Sequence, residues 1–432
     1  MGRVLVRNTV VTAFLRLSSS AMSFGIGILA ARVAGVAQYG AYAYAMSILT
    51  VATVVATLGL DRLVVREVAT RREPGDDRDL RGLLRWSHML GVVASLGTVI
   101  LAALFWPALT ASLDIPTRQA LAAGALLLPL AVWLRVQQSA LQGLNRMVAG
   151  QLPETLIQPA TLGILLVIIA AARRPVDGRA LVVLQTAGAA AACGVAGWMV
   201  WGSFHDGAKG QRVFRHRAWG LALVPLLLTS GLSVATNQAD MLILGAMNGA
   251  TAAGIYSAAI RSAALIGFVL ASANLAMAPT FASLHSSGDI AALQRLVTKS
   301  ARYILLLATP VAVAMIVGGQ LLLAAFGVDF IAGITPLRIL SVGQWVNAGM
   351  GSVAFLLMMT GHARDVTIGL AAGLALNVAL SLLLVPHFGT TGAATAATAS
   401  VIFWNGVLAW CVHKRLGVDG TAAGIFTKRR SG

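Results

Sequence analysis

Apolar stretches long enough to cross a bilayer follow one another along almost the whole chain, and they fall into two matching sets. A spanning helix needs roughly 20 apolar residues, because it rises about 1.5 Å per residue through a hydrocarbon layer of about 30 Å. Windows of that length occur about twelve times. They lie near 9–33, 41–62, 83–107, 119–141, 155–172, 180–201, 219–246, 253–280, 300–325, 334–360, 367–386 and 391–413. The longest polar connections, 63–82, 202–218 and 281–298, are too short for a soluble domain. With 58% hydrophobic and 11% charged residues in 432, a water-soluble core could not hide the apolar surface. Lipid is the solvent, and in lipid every backbone polar group must be satisfied internally. The expected fold is therefore all-α and polytopic.

The first stretch is too long for the apolar core of a cleavable signal and reads as a retained helix. Cys193 and Cys411 fall inside predicted helices and suggest neither a disulfide nor a metal site. The net charge of +17 is carried by alternate loops. One side holds Arg3, Arg7, the arginines from Arg62 to Arg81, Arg146, Lys209 to Arg217, Arg295, Lys299, Arg364 and the tail from Lys414. The other holds Arg118, Arg173, Arg174 and Arg179. This positive-inside pattern predicts that both termini are cytoplasmic, and it accounts for the charge without nucleic acid as a partner.

A shift of 214 positions lays the sequence on itself. Gln38-Tyr39-Gly40-Ala41-Tyr42-Ala43 then falls on Ala252-Ala253-Gly254-Ile255-Tyr256-Ser257, Arg81 on Arg295, and Gly178 on Gly392. In the middle a shift of 218 aligns Gly143 with Gly361 and Arg146 with Arg364. Each copy holds about six spans, and an even number gives both copies the same orientation, related by an axis along the membrane normal. The expected organisation is two pseudo-symmetric six-helix bundles around a central cleft, residues 1–214 and 215–432.

Charged groups inside such helices cost about 2.5–3.5 kcal/mol at the bilayer centre even on lenient scales, so they face a cavity or a partner. The first helix of each copy carries a polar stripe. Arg16, Ser19, Ser20 and Ser23 form one, and Thr229, Ser230, Ser233, Thr236, Asn237 and Asp240 form the other. Under the repeat Arg16 meets Ser230, Ser19 meets Ser233 and Ser23 meets Asn237, so equivalent faces are polar and are expected to line the cleft. Arg261 adds a cation in the eighth span. Arg32 and Arg135 lie nearer helix ends, where a guanidinium can snorkel to the interface. Asp240 is open to three roles: pairing with an arginine, binding a proton or cation, or capping nearby backbone. Glu154, beside Pro153 at a helix start, suits the helix dipole. Pro129, Pro159, Pro225 and Pro310 can kink their helices, and Gly245-x-x-x-Gly249 and Gly369-x-x-x-Gly373 permit close packing.

The sequence has no GxxxxGK[ST] phosphate loop, no HExxH pattern and no GxSxG elbow. A transporter without its own ATPase is expected, with no enzymatic activity, cofactor or metal.

Two stretches carry a family resemblance. One runs Leu29-Ala30-Ala31-Arg32-Val33-Ala34-Gly35, Gln38-Tyr39-Gly40-Ala41-Tyr42, Leu58-Gly59-Leu60-Asp61 and Val65-Arg66-Glu67. The other is Asn237-Gln238-Ala239-Asp240-Met241-Leu242-Ile243-Leu244-Gly245 with Gly254-Ile255-Tyr256-Ser257. Together they resemble the Wzx-type polysaccharide-transport flippases of the multidrug/oligosaccharidyl-lipid/polysaccharide exporter superfamily. The resemblance implies flipping of an undecaprenyl-pyrophosphate-linked oligosaccharide to the outer leaflet of the cell inner membrane by alternating access. It implies cleft cations for the pyrophosphate, a role that falls to Arg16 and Arg261 and more weakly to Arg32. It also implies a polysaccharide polymerase and a chain-length protein as partners. Related lipid II flippases carry two further C-terminal helices, so the span count argues against a peptidoglycan substrate.

Two other readings compete. A multidrug or metabolite antiporter of the same superfamily relies on membrane-embedded acids for cation coupling, and this chain offers chiefly Asp240. A glycan polymerase or ligase would need a long catalytic loop, which the sequence lacks.

Overall fold

The computed structural model describes residues 2–70, 77–202 and 216–423, apart from the side chains of residues 2–17 and of some later positions. Among the described residues every regular element is helical. The first helices are α1 (Gly2–Thr57), α2 (Leu60–Thr70), α3 (Asp77–Leu104), α4 (Trp106–Thr110), α5 (Ile115–Ala123), α6 (Leu127–Gly143) and α7 (Met147–Leu152). A π turn, Pro153–Ile157, leads into α8 (Gln158–Ala171), followed by α9 (Gly178–Trp201). Then come α10 (His216–Ser286), α11 (Ile290–Phe326), α12 (Ile334–Met350), α13 (Val353–Met359) and α14 (Ala363–Leu416). Two compact units can be described, Met1–Val234 and Ala235–Gly432, with their boundary inside α10. The boundary expected between residues 214 and 215 lies outside the described residues.

Three of these helices are too long to be straight. At about 1.5 Å per residue, the 71 residues of α10 would reach several times the hydrocarbon thickness. Each is broken at one glycine: α1 at Gly35 (φ 77°, ψ 168°), α10 at Gly249 (φ 76°, ψ −173°) and α14 at Gly389 (φ 53°, ψ −127°). Hydrogen bonds show that the chain reverses at two of them. The Tyr256 hydroxyl donates to Asp240 at 2.6 Å, although 16 residues of straight helix would separate them by about 24 Å. Ser400 donates to the Gly373 carbonyl at 2.6 Å across 27 residues, about 40 Å if straight. Gly249 lies 214 positions after Gly35, so the repeat extends to the break itself.

Among the described residues seven helices are long and apolar enough to span a bilayer, or nine when each bent pair counts as one span. Dividing the three glycine-broken helices brings the number to twelve, six in each half of the sequence. The outward-facing residues suit lipid: Leu321 is 81% exposed and Val317 75%. Trp198 and Trp201, 74% and 78% exposed near the end of α9, suit a membrane interface.

In the first unit, α2 buries Leu60, Leu63, Val64 and Val68 against Leu80, Leu83 and Leu84 of α3, Val136 and Ala140 of α6, and Trp219 and Leu223 of α10. That spacing is the apolar stripe of an amphipathic helix, and it turns Asp61, Arg62, Val65 and Arg66 the other way. In the second unit, Gly369 and Gly373 meet Leu408 and Trp404, where an added Cβ would come within 2.7 and 2.9 Å. This motif is a packing site, as its spacing suggests. Gly249 is not: nothing lies within 4 Å of its added Cβ, and its role is to break α10. Helix reversal thus falls at glycines, whereas Pro310 sits inside a continuous α11.

Candidate functional site

The residues of the two polar stripes differ in exposure. On α1, Ser19 and Ser23 are half-buried and Ser20 is exposed, while the side chain of Arg16 lies outside the described set. Arg32 is exposed just before the Gly35 break. On α10, Ser233 and Asn237 are exposed and Ser230 is half-buried, with its hydroxyl lacking a partner among the described residues. Arg261 is half-buried on the segment after Gly249.

Asp240 is held differently. It is 7% exposed, and its carboxylate accepts the Tyr256 hydroxyl at 2.6 Å and the Met241 amide at 2.9 Å. Of its three possible roles, the contact to nearby backbone is present, and a tyrosine is added. No arginine is among its partners in the described residues.

A second polar constellation was not assembled from the sequence. In the first unit, α2, α6 and the π turn line an open pocket of about 470 Å³. The polar side of α2 supplies Asp61, Arg62 and Arg66, α6 supplies Arg135 and Gln138, and the π turn supplies Glu154. Close helix approach shapes it. A Cβ on Gly143 would meet Val68 of α2 at 2.6 Å, and one on Gly150 would meet the Gln138 carbonyl at 3.1 Å. Small residues therefore let α2 and α7 close on α6. The Arg62 guanidinium donates to Thr229 at 3.2 Å, and Arg66 pairs with Glu67 at 3.1 Å, whose other oxygen accepts the Trp219 indole N–H at 3.3 Å. Among the described residues the Arg135 guanidinium and the Asp61 and Glu154 carboxylates have no such partner. Their convergence was hidden because α2, α6 and the π turn are separated by up to ninety-odd positions, and each residue alone has a local explanation. The available signal was the polar face of α2 in register with Arg135 and Gln138 on α6.

Solved transporters share this fold. An inward-facing multidrug resistance MATE family transporter of the MOP superfamily matches with a TM-score of 0.76 at 15% identity, over 94% of this chain and 98% of that one. The lipid II flippase MurJ, inward closed, matches with a TM-score of 0.73 at 14% identity, over 93% and 87%. A MOP superfamily transporter from Pyrococcus furiosus gives 0.64 at 15% identity, over 96% and 95%. The fold is that of MOP-superfamily transporters, multi-pass proteins of the membrane. The family model described as polysaccharide biosynthesis protein matches residues 5–285, and the chain belongs to that family. No curated protein matches the sequence.

Proposed function

We propose that this protein flips a polyprenyl-pyrophosphate-linked oligosaccharide from the cytoplasmic to the outer leaflet of the cell inner membrane, for cell-surface polysaccharide biosynthesis. The observation that carries the reading is membership of a polysaccharide biosynthesis family on a transporter fold. The sequence offers no loop long enough for a catalytic domain, so the contribution to polysaccharide synthesis is transport. A pyrophosphate cannot cross hydrocarbon bare, and guanidinium groups bind phosphate oxygens bidentately. Arg16 and Arg261, with Arg32, are the cations assigned to it, and the serines and Asn237 of the stripes hydrate the sugar. Alternating access moves the head group while the polyprenyl tail stays in lipid. A polymerase and a chain-length protein receive the product. Asp240, the acid on which a cation-coupled multidrug exporter would rely, has a structural use here, accepting the Tyr256 hydroxyl and the Met241 amide, so its presence alone does not call for a coupling ion.

The test is flipping of fluorescent lipid-linked oligosaccharide in liposomes, with complementation of a flippase-deficient strain. Arg16→Ala and Arg261→Ala should each abolish both activities at unchanged expression, and Arg32→Ala should weaken them. Wild-type flipping in the Arg16 and Arg261 variants would sink the assignment.

A further inference from the structure

We infer that the pocket formed by α2, α6 and the π turn is a binding site for a phosphorylated sugar. The inference rests on the function proposed above only for the source of that sugar; the pocket's chemistry stands on its own residues. Of the nine residues lining it, only Val65 is apolar, so polar and charged groups ring the pocket above their aliphatic stems. Its volume of about 470 Å³ lies within the roughly 300–1,000 Å³ of small-molecule sites. Three guanidiniums, Arg62, Arg66 and Arg135, face two carboxylates, Asp61 and Glu154. The arginines suit phosphate oxygens in bidentate geometry. The carboxylates would repel a bare phosphate, but they accept hydrogen bonds from sugar hydroxyls. One ligand satisfies both sets: a phosphate ester carrying several hydroxyls.

A second observation concerns the charged groups themselves. The half-buried Arg135 guanidinium and the Asp61 and Glu154 carboxylates line the pocket with no side-chain partner among the described residues, so their hydrogen-bonding capacity is available to an occupant. The π turn that carries Glu154 is also a feature that recurs at functional sites. The lining sits beside the arginine-rich loops, the side that the charge pattern assigns to the cytoplasm, where a lipid-linked sugar phosphate would be met before it crosses.

Purified full-length protein in detergent is titrated calorimetrically with glucose 1-phosphate, inorganic phosphate, glucose and glycerophosphoethanolamine. Glucose 1-phosphate should saturate and bind at least about tenfold more tightly than the other three, since it alone presents both phosphate and a ring of hydroxyls. Arg135→Ala should weaken it by about tenfold or more, Arg135→Lys should recover part of the loss, and the exposed Arg179→Ala should change nothing. Equal affinity for inorganic phosphate would mean a plain anion site, and tighter glycerophosphoethanolamine binding a phospholipid headgroup site. Either result, or unchanged affinity in Arg135→Ala, overturns the proposal. Flipping is measured on the same preparations. Intact flipping without sugar-phosphate binding refutes this pocket alone, and binding without flipping refutes the transport reading alone.

Discussion

A carboxylate at membrane depth is the most exacting single group in this chain, because its charge must be met by donors within the protein. Asp240 meets that demand through the Tyr256 hydroxyl at 2.6 Å and the Met241 amide at 2.9 Å. Tyr256 is itself fully buried, so its hydroxyl has the carboxylate as its partner in place of water. Tyr256→Phe keeps the ring and removes the shorter bond. It should cost about 1–3 kcal/mol, the penalty for stranding a buried acceptor, and lower the melting temperature of the detergent-purified protein. In the Asp240→Asn background the same change should cost less, giving a coupling energy in a double-mutant cycle. Equal melting of Tyr256→Phe and wild type would show that the bond does not hold the fold. In the sequence Asp240 stood out as an acid in an apolar helix, whereas its partner did not. Tyr256 comes within reach only because α10 reverses at Gly249, and helical periodicity cannot foresee a contact made across a break.

Among the elements, the paired glycine breaks carry the architecture. Gly35 and Gly249 combine φ near +77° with ψ near 180°, a region that is essentially open to glycine alone. Nothing lies within 4 Å of an added Cβ at either position, so a substitution there meets backbone strain and no steric clash. Gly35→Ala and Gly249→Ala should each cost about 1–3 kcal/mol, and asparagine should rescue neither, since asparagine tolerates left-handed helical geometry but not this region. Gly59 (φ +80°) differs, because its Cβ would also strike Leu226 Cβ and the Leu227 backbone nitrogen at 2.8 Å. Gly59→Ala should therefore lower the melting temperature more than either break variant, and a smaller loss would remove close packing as its reason. The span pattern was readable because hydrophobicity over some 20 residues is a strong signal, and the 214-residue repeat already contained both breaks. Which glycine reversed the chain and which packed was not readable: Gly249 and Gly373 sit in the same G-x-x-x-G spacing, and only the backbone angle separates them. The pocket on α2 was likewise hidden, because Arg135 and Glu154 each had a sufficient local reading in snorkelling and the helix dipole.

For the molecule as a whole, orientation decides which leaflet each group can serve, and it rests on the asymmetry of arginine and lysine between alternate loops. Arg146, after the left-handed Asn145 that ends α6, and Arg174, in the turn between α8 and α9, are both exposed and fall on opposite sides of that assignment. Arg174 belongs to the exceptional arginines placed outside, so it is the position where a charge-based topology is most exposed to failure. Cys193 and Cys411 are the native thiols and are half-buried. In a background with both replaced by alanine, Arg174→Cys in intact cells should react with a membrane-impermeant maleimide, and Arg146→Cys should react only after permeabilisation. Retained flipping in the background confirms that the probe reads the native arrangement. The opposite labelling pattern would invert the protein, turn the arginine-rich loops and the α2–α6 pocket toward the outside, and put the proposed sugar-phosphate site on the far side from the cytoplasm. Two single-cysteine variants thus test whether charge alone orients the chain and on which side of the membrane its substrate is first engaged.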